Sequence, residues 1–223
     1  MLYVMSDFHL STNTNKPMDK FGPEWKDHAN QIREYWPLTE SDIIIMPGDF
    51  SWALRFEEVV SDLEWLDSLP GKKILSKGNH DTWWATAKKL KAYEEQFPSI
   101  RFLHNESIQI DDISICVAKG YNVDLETEEA IKLINRESIR LDISLSKAKT
   151  NKKIVFMHYP PLTPTHMNSI FSEIMEKHNV SKCYYGHLHG KAQSAKIEGN
   201  IRGIEYKLIS SDFIKFKPIK VEL

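Results

Sequence analysis

Short apolar runs alternate with longer amphipathic segments along the chain, and this alternation restricts the fold more than any other feature. The apolar runs are nearly continuous, as in strands that are covered on both faces of a sheet. They occupy residues 2–5, 43–46, 73–76, 113–117, 154–157 and 182–185. The amphipathic segments have apolar residues at three- and four-residue spacing, which predicts helices at 24–36, 55–68, 82–96, 125–149 and 168–178. The alternation indicates an α/β fold.

Other segments predict antiparallel strands and turns. Residues 101–117 predict a hairpin with Asp111-Asp112 at its turn. After residue 190 the pattern changes to short alternating runs, with turns predicted at Gly199-Asn200 and Gly203. The polar loop 11–23 directly follows Asp7-Phe8-His9, and we expect a surface connection there in preference to a substrate lid.

Length, charge and cysteine content exclude several classes of protein. The chain of 223 residues suits one compact domain, which we predict over residues 1–223. A formal net charge of −2 provides no strong field towards nucleic acid or a membrane surface. No apolar run approaches the roughly 20 residues that cross a bilayer, and we recognise no signal peptide. Cys116 and Cys183 lie in apolar strands and predict buried free thiols, so we expect a cytoplasmic protein.

Five polar motifs follow predicted strands, each at the carboxyl end. They are Asp7-Phe8-His9, Gly48-Asp49, Gly78-Asn79-His80-Asp81, His158 and Gly186-His187-Leu188-His189. Sites in open α/β sheets form outside the carboxyl ends of strands, so we expect the motifs to converge on one rim. A single Asp-x-His or Gly-Asp is common by chance, but five of the nine histidines lie in these motifs. The set as a whole therefore indicates a functional site.

The residue types in these motifs suit two divalent cations. Carboxylate and imidazole together are ligands of Mn, Fe, Zn and Ni, whereas Ca and Mg prefer oxygen ligands. The period-two spacing in Asp7-Phe8-His9 and in His187-Leu188-His189 predicts that both ligands lie on one side of an extended chain. Asp49 is the candidate for a carboxylate that bridges the two metals. Two such ions keep a net positive charge after Asp7, Asp49 and a bridging hydroxide are counted, which suits phosphate.

The five motifs together resemble the pattern of the calcineurin-like metallophosphoesterase superfamily over residues 7–189, with no motif missing. The resemblance implies a four-layer α/β fold, in which two mixed β-sheets pack as a sandwich flanked by helices. It also implies the metal ligands, which are Asp7, His9, Asp49 and His189 for one ion and Asp49, Asn79, His158 and His187 for the other. By the same resemblance His80 would stand near the leaving group as a catalytic residue. Asp81 would either orient His80 or cap a following helix.

The activity implied by the resemblance is hydrolysis of a small-molecule phosphomonoester or phosphodiester, by direct attack of a metal-bridging hydroxide. His80 would donate a proton to the leaving alkoxide or stabilise charge on the phosphate. The oxygen and nitrogen ligands favour Mn or Fe as the two divalent ions, with Zn or Ni as alternatives. Serine/threonine protein phosphatases of the superfamily carry a second Asp and an Arg where this chain has Trp52 and Ala53. The chain resembles the small bacterial phosphohydrolases of the superfamily instead.

Two alternative functions and several residue roles stay open at this point. A nuclease of the same superfamily would need a basic groove, and no Lys/Arg-rich stripe predicts one, so we expect no nucleic-acid partner. A non-catalytic scaffold should have lost ligands, and this chain retains them all. The sequence leaves the oligomeric state open. Roles in substrate binding and roles in packing or at the surface are both open for Trp52, Arg55, Trp83, Trp84 and His166. The remaining histidines are expected at the surface, and they are His28, His104 and His178.

Overall fold

The computed structural model describes residues 1–222, and the chain divides into two compact units. The first unit combines Met1–Phe102 with the segment from Ile209 onwards, and the second comprises Leu103–Leu208. The chain forms two mixed sheets together with helices, so the predicted α/β class with two mixed sheets is confirmed. The single domain expected over residues 1–223 stays a prediction.

Five strands form the sheet that belongs to the first unit. They are β1 (Leu2–Val4), β2 (Ile43–Pro47), β3 (Lys72–Ser76), β4 (Ile100–Leu103) and β11 (Ile219–Lys220). Their order is β11-β1-β2-β3-β4, with β1, β2 and β3 parallel and β11 antiparallel to β1. Because parallel strands end at the same edge, the motifs that follow β1, β2 and β3 lie together at one edge of this sheet.

Three α-helices belong to the first unit, and each is shorter than the segment predicted for it. They are α1 (His28–Glu34), α2 (Val60–Asp67) and α3 (Ala87–Gln96). The predicted helix 24–36 is divided between a 3-10 helix at Pro23–Trp25 and α1. Residues 82–86 are not helical: a turn at residues 82–83 places Trp83 in the core, with 2% of its surface exposed, before α3 begins. An apolar pattern therefore predicted burial correctly where the backbone is not helical.

The second unit contains a six-stranded sheet. Its strands are β5 (Ser107–Ile110), β6 (Ile113–Ala118), β7 (Lys152–Met157), β8 (Val180–Tyr185), β9 (Gly199–Ile201) and β10 (Ile204–Leu208). The order is β5-β6-β7-β8-β10-β9, with four parallel strands in the centre and an antiparallel strand at each edge. Val155 of β7 pairs with Cys116 on one side and with Cys183 on the other. Both cysteines are buried and free, as predicted.

The helices of the second unit begin at side-chain caps that the sequence supplies. In α4 (Glu128–Ser146), the Thr127 hydroxyl accepts a hydrogen bond from the Ala130 amide at 3.2 Å. In α5 (Ile170–Lys177), Ser169 and Ser172 form a reciprocal capping box. Such caps satisfy amide groups that have no partner inside the helix. Across residues 1–222, none of the helices has the length and apolar character that crossing a membrane requires.

Two predictions about strands and turns need correction. The hairpin turn at Asp111-Asp112 is confirmed, but residues 101–103 belong to β4 in the other sheet. After residue 190 the chain first forms a 3-10 helix, Gly190–Ala195, and Gly199-Asn200 lies inside β9 instead of in a turn. The predicted turn at Gly203 is confirmed, with a φ angle of 83°. Strand β10 is antiparallel to β9, as predicted, but it is parallel to β8, so the prediction that only antiparallel strands follow residue 190 is wrong for that pairing.

Candidate metal centre

The first motif follows β1 in an unusual backbone conformation. Asp7 and His9 have φ angles of 61° and 48°, in the left-handed region that most residues avoid. The expectation of an extended chain through this motif is therefore wrong. The conformation is held by the next motif, because the Asp7 amide donates to the Gly48 carbonyl and the His9 amide donates to the Asp49 carbonyl, each at 3.0 Å. Strained backbone of this kind is often found at functional sites.

Asp49, in the second motif, is packed directly against the third motif. Its φ angle is 53°, and its Oδ1 atom accepts a hydrogen bond of 2.8 Å from the His80 amide. A Cβ atom added at Gly78 would lie 2.1 Å from Asp49 Oδ1 and 2.3 Å from the Asp49 amide nitrogen. Only a glycine at position 78 permits this close approach. The sequence therefore positions Asp49 through a residue that lacks a side chain.

Asp81 is fully buried and binds the backbone of two motifs. Its carboxylate accepts hydrogen bonds from the amides of Gly78 at 2.8 Å, Asp49 at 2.9 Å and Phe50 at 3.0 Å. Further donors are the Ser51 amide at 3.3 Å and Trp83 Nε1 at 3.1 Å. Burial raises the pKa of the Asp81 carboxyl, while these N–H donors act in the opposite direction. The helix-cap alternative for Asp81 is wrong, because α3 begins at Ala87 and Thr86 occupies its N-cap position.

Three side chains of the first unit have the spacing of ligands around one ion. His9 Nε2 lies 4.0 Å from Asp7 Oδ1 and 3.9 Å from Asp49 Oδ2, too far for hydrogen bonds. Two ligand atoms that each lie about 2.1 Å from a metal are separated by about 3–4 Å. None of the three residues exposes more than 2% of its surface. Burying two carboxylates is costly unless positive charge accompanies them, so this donor set fits a divalent metal.

His80 lies at the same edge and is half-buried. Its ring centroid is 5.7 Å from that of His9 and 4.2 Å from that of Trp52. Trp52 in turn stacks on His9, with 4.9 Å between the centroids and 23° between the planes. Asn79 precedes His80 in the same loop after β3 and is also half-buried. The structure thus brings Asp7, His9, Asp49 and His80 together within the first unit.

The second unit supplies imidazoles at the ends of two adjacent parallel strands. His158 follows β7 and is fully buried, and His187 follows β8 with a φ angle of 73°. His187 Nδ1 lies 3.2 Å from His158 Nε2, and the two rings are inclined at 75°. His189 is half-buried at the N-cap position of the 3-10 helix Gly190–Ala195, with an extended φ of −120°. Because His187 is left-handed, the extended chain expected through His187-Leu188-His189 is wrong at its first residue. The six acidic and imidazole residues among the predicted ligands all have side chains that could hold a metal ion.

The structure also places the residues whose roles the sequence left open. Trp83 packs in the core, which confirms the packing role expected for at least one of the two adjacent tryptophans. Arg55 is exposed in the segment before α2, not at a helix start. His166 contacts Asp124 through Nδ1 at 2.7 Å. His104 is exposed as expected.

The prediction that His28 and His178 are ordinary surface residues is wrong. Both rings are partly buried: His28 packs on Trp25 with 5.4 Å between the ring centroids, and burial lowers its pKa. His178 Nε2 lies 2.7 Å from Asp142 Oδ1.

Two neighbours of the candidate site were missed by sequence reasoning. Lys16, in the polar loop 11–23, lies with its Nζ atom 4.4 Å from the Trp52 ring centroid. Tyr159 packs on His187 with 4.2 Å between the ring centroids. Tyr159 directly follows His158, so its adjacency to a predicted ligand was an available signal. Nothing in the sequence marks Lys16 among the lysines of its loop.

Comparisons with known proteins agree with this arrangement. A family model described as calcineurin-like phosphoesterase matches residues 2–191. No curated protein sequence matches the chain significantly. Among solved structures, a protein of unknown function from Aquifex aeolicus has a TM-score of 0.55 and 19% identity, over 98% of this chain and 94% of that chain. Phosphopantetheinyl hydrolase (PptH) from Mycobacterium tuberculosis has a TM-score of 0.56 and 14% identity, over 94% of this chain and 88% of that one. At such identities the structural likeness shows the fold alone.

Proposed function

We propose that this chain, which belongs to the calcineurin-like phosphoesterase family, hydrolyses small-molecule phosphate esters with two divalent metal ions. The observation that carries the proposal is the buried group formed by Asp7, His9 and Asp49, with an imidazole nitrogen 3.9–4.0 Å from two carboxylates. Burying two carboxylates is costly, and a bound cation would offset that cost. The group lies where three parallel strands end. The family membership supplies the reaction class, which is hydrolysis of phosphoesters.

The proposed ligands are those implied by the sequence resemblance. One ion would be held by Asp7, His9, Asp49 and His189, and the other by Asp49, Asn79, His158 and His187. Two divalent ions bound in this way would lower the pKa of a water molecule and offset charge on the phosphoryl oxygens. Mn or Fe is the proposed metal, because the donors are oxygen and nitrogen with no thiolate among them. Both cysteines lie in buried strand positions, which suits the reducing cytoplasm as the proposed compartment.

His80 is the proposed proton donor to the leaving alkoxide. Its amide donates to Asp49 Oδ1 at 2.8 Å, so the loop that carries His80 is tied to the proposed bridging carboxylate. Its ring packs on Trp52, which limits the ring orientations, and its half-buried position leaves part of the imidazole accessible to a substrate. Asp81 acts through the backbone, by holding the amides on both sides of this contact. Proton transfer from a positioned imidazole typically accelerates a reaction by about 10²–10⁴-fold.

The test is hydrolysis by protein that has been stripped of metal and then reconstituted with Mn²⁺, Fe²⁺, Zn²⁺ or Ni²⁺. The substrates are p-nitrophenyl phosphate and bis(p-nitrophenyl) phosphate, which separate monoesterase from diesterase activity, together with a panel of natural phosphate esters. Asp49→Asn should reduce the metal content measured by mass spectrometry, because a neutral amide is a poor bridge between two cations. His80→Ala should retain the metals and lower kcat by about 10²-fold or more.

His104→Ala is the matched control, since His104 is an exposed histidine outside the five motifs. It should keep the wild-type metal content and rate. Wild-type hydrolysis by both Asp49→Asn and His80→Ala would contradict the proposed roles. A reconstituted wild-type protein that binds metal and hydrolyses no ester in the panel would contradict the proposed function.

A further inference from the structure

The polar loop 11–23 is fastened to the first unit beside Trp52. The Thr12 amide donates to Asp62 Oδ1 at 3.1 Å, and Asn13 Nδ2 donates to Ser61 Oγ at 2.7 Å. Trp52 Nε1 lies 3.0 Å from the Met18 sulfur, and Met18 itself is buried in the core. The loop is a surface connection, as the sequence predicts, but contacts on both sides of Lys16 restrict where that residue can lie.

Lys16 carries a positive charge that no acidic group neutralises locally. Its Nζ atom lies 4.4 Å from the centroid of the Trp52 ring, within the range of a cation–π contact. Within residues 1–222, the Lys16 ammonium forms no ion pair and no side-chain hydrogen bond. The residue is exposed, so the ammonium remains accessible to an anion from solution.

Trp52 connects this ammonium to the candidate site. The Lys16 Nζ atom and the His80 ring lie 4.4 Å and 4.2 Å from the same Trp52 centroid. The ammonium and the proposed proton donor therefore contact the same indole ring. Lys16 is not among the predicted metal ligands. An anion bound there would be next to the reacting phosphoryl group and would not coincide with it.

We propose that Lys16 binds a second anionic group of the substrate. The preferred substrates are then phosphate esters that carry another phosphate or a carboxylate a few bonds from the reacting phosphorus. This inference rests on the proposed function, because it takes the reacting phosphate to lie beside His80. Fastening the loop and placing the ammonium over an aromatic ring reduces the conformational freedom that binding would otherwise remove.

The test compares two substrates that differ by one terminal phosphate group, propyl phosphate and propane-1,3-diol bisphosphate. For the Mn²⁺-reconstituted protein, kcat/KM is measured for each by phosphate release, and the bisphosphate-to-monophosphate ratio is the readout. Lys16→Gln should lower this ratio by about tenfold, the size of a charge-assisted hydrogen bond. Lys16→Arg should restore most of it. Lys20→Gln, which changes an exposed lysine of the same loop, should leave the ratio at the wild-type value.

Calorimetric titration of the same proteins with the two esters separates failure of this inference from failure of the proposed function. Equal ratios in wild type and Lys16→Gln, with both esters hydrolysed, would overturn the subsite and leave the phosphoesterase proposal intact. Lys16-dependent binding of the bisphosphate without hydrolysis of either ester would support the subsite and overturn the proposed function. Neither hydrolysis nor Lys16-dependent binding would overturn both.

Discussion

Replacing Gly78 with alanine tests how closely the loop after β3 must approach Asp49. The added Cβ would lie 2.1 Å from Asp49 Oδ1 and 2.3 Å from the Asp49 amide nitrogen. Gly78 does not have a left-handed φ angle, so alanine is compatible with its backbone conformation and only the lack of space opposes it. Asp49 cannot move aside without cost, because its amide is bound to Asp81 and its Oδ1 atom to the His80 amide.

The expected loss of stability follows from these contacts. Relieving the overlap requires a shift of about 1 Å, and overpacking of this kind typically costs about 1–3 kcal/mol. Weakening the hydrogen bonds of the buried Asp81 carboxylate adds about 1–3 kcal/mol. We therefore expect Gly78→Ala to lower the free energy of unfolding by about 2–5 kcal/mol. A displaced Asp49 should also bind metal less tightly.

Urea denaturation in the presence of a chelator, followed by tryptophan fluorescence, measures the stability term without any metal contribution. With a slope of about 2–3 kcal/mol per M, the midpoint should fall by about 1–2 M. Gly203→Ala is the control, because Gly203 has a φ angle of 83° and open space around its Cβ direction. Its free energy of unfolding should fall by only about 1–2 kcal/mol, the cost of placing alanine in the left-handed region. The reasoning would be refuted if Gly78→Ala cost no more than this control and bound Mn²⁺ with wild-type affinity.

Two further predictions concern buried charged groups of the first unit. Asp81→Asn should lower the free energy of unfolding by about 2–4 kcal/mol, because an amide nitrogen would face N–H donors. The control is Asp124→Asn, at an exposed position, which should lower it by under about 1 kcal/mol in the same urea titration. Burial lowers the pKa of Lys73 from 10.5 to about 8. Above pH 8 the folded protein therefore releases a proton that the unfolded chain keeps up to 10.5, so this group makes stability rise with pH in that window. The free energy of unfolding of wild type relative to Lys73→Met should rise by about 2 kcal/mol between pH 7 and 9.5, and a pH-independent difference would contradict the placement of Lys73.

Much of the fold could be predicted because its signals are local. Each of the six apolar runs contains or overlaps an observed strand, and the motifs begin within a few residues of the strand ends. Helix ends were predicted less well, since the apolar pattern continues into non-helical segments such as residues 82–86, where it indicates burial and not helix. Strand order was beyond local reasoning. The pairing of β11 with β1 joins the two ends of the first unit. Strand β11 has only two residues, too few for an apolar pattern to predict it.

The candidate site shows the same division. The identity of its acidic and imidazole residues was readable in the sequence, because their spacing after strands resembles a known family and matches the chemistry of divalent metals. The conformation of that site was not readable. Asp7 and His9 were expected in an extended chain, yet hydrogen bonds to the following motif place both in the left-handed region.

The sequence by itself determined most of the strands and the set of candidate metal ligands, because apolar periodicity and ligand type are properties of short segments. Only the tertiary structure decided how those side chains are supported. The buried carboxylate of Asp81 holds amides from two motifs, Gly78 leaves room for Asp49, and Lys16 lies over Trp52. Apart from the bond between Asp81 and the Gly78 amide, which spans three residues, each of these contacts joins segments about 30 or more residues apart, so its energy depends on chain packing that no local pattern encodes.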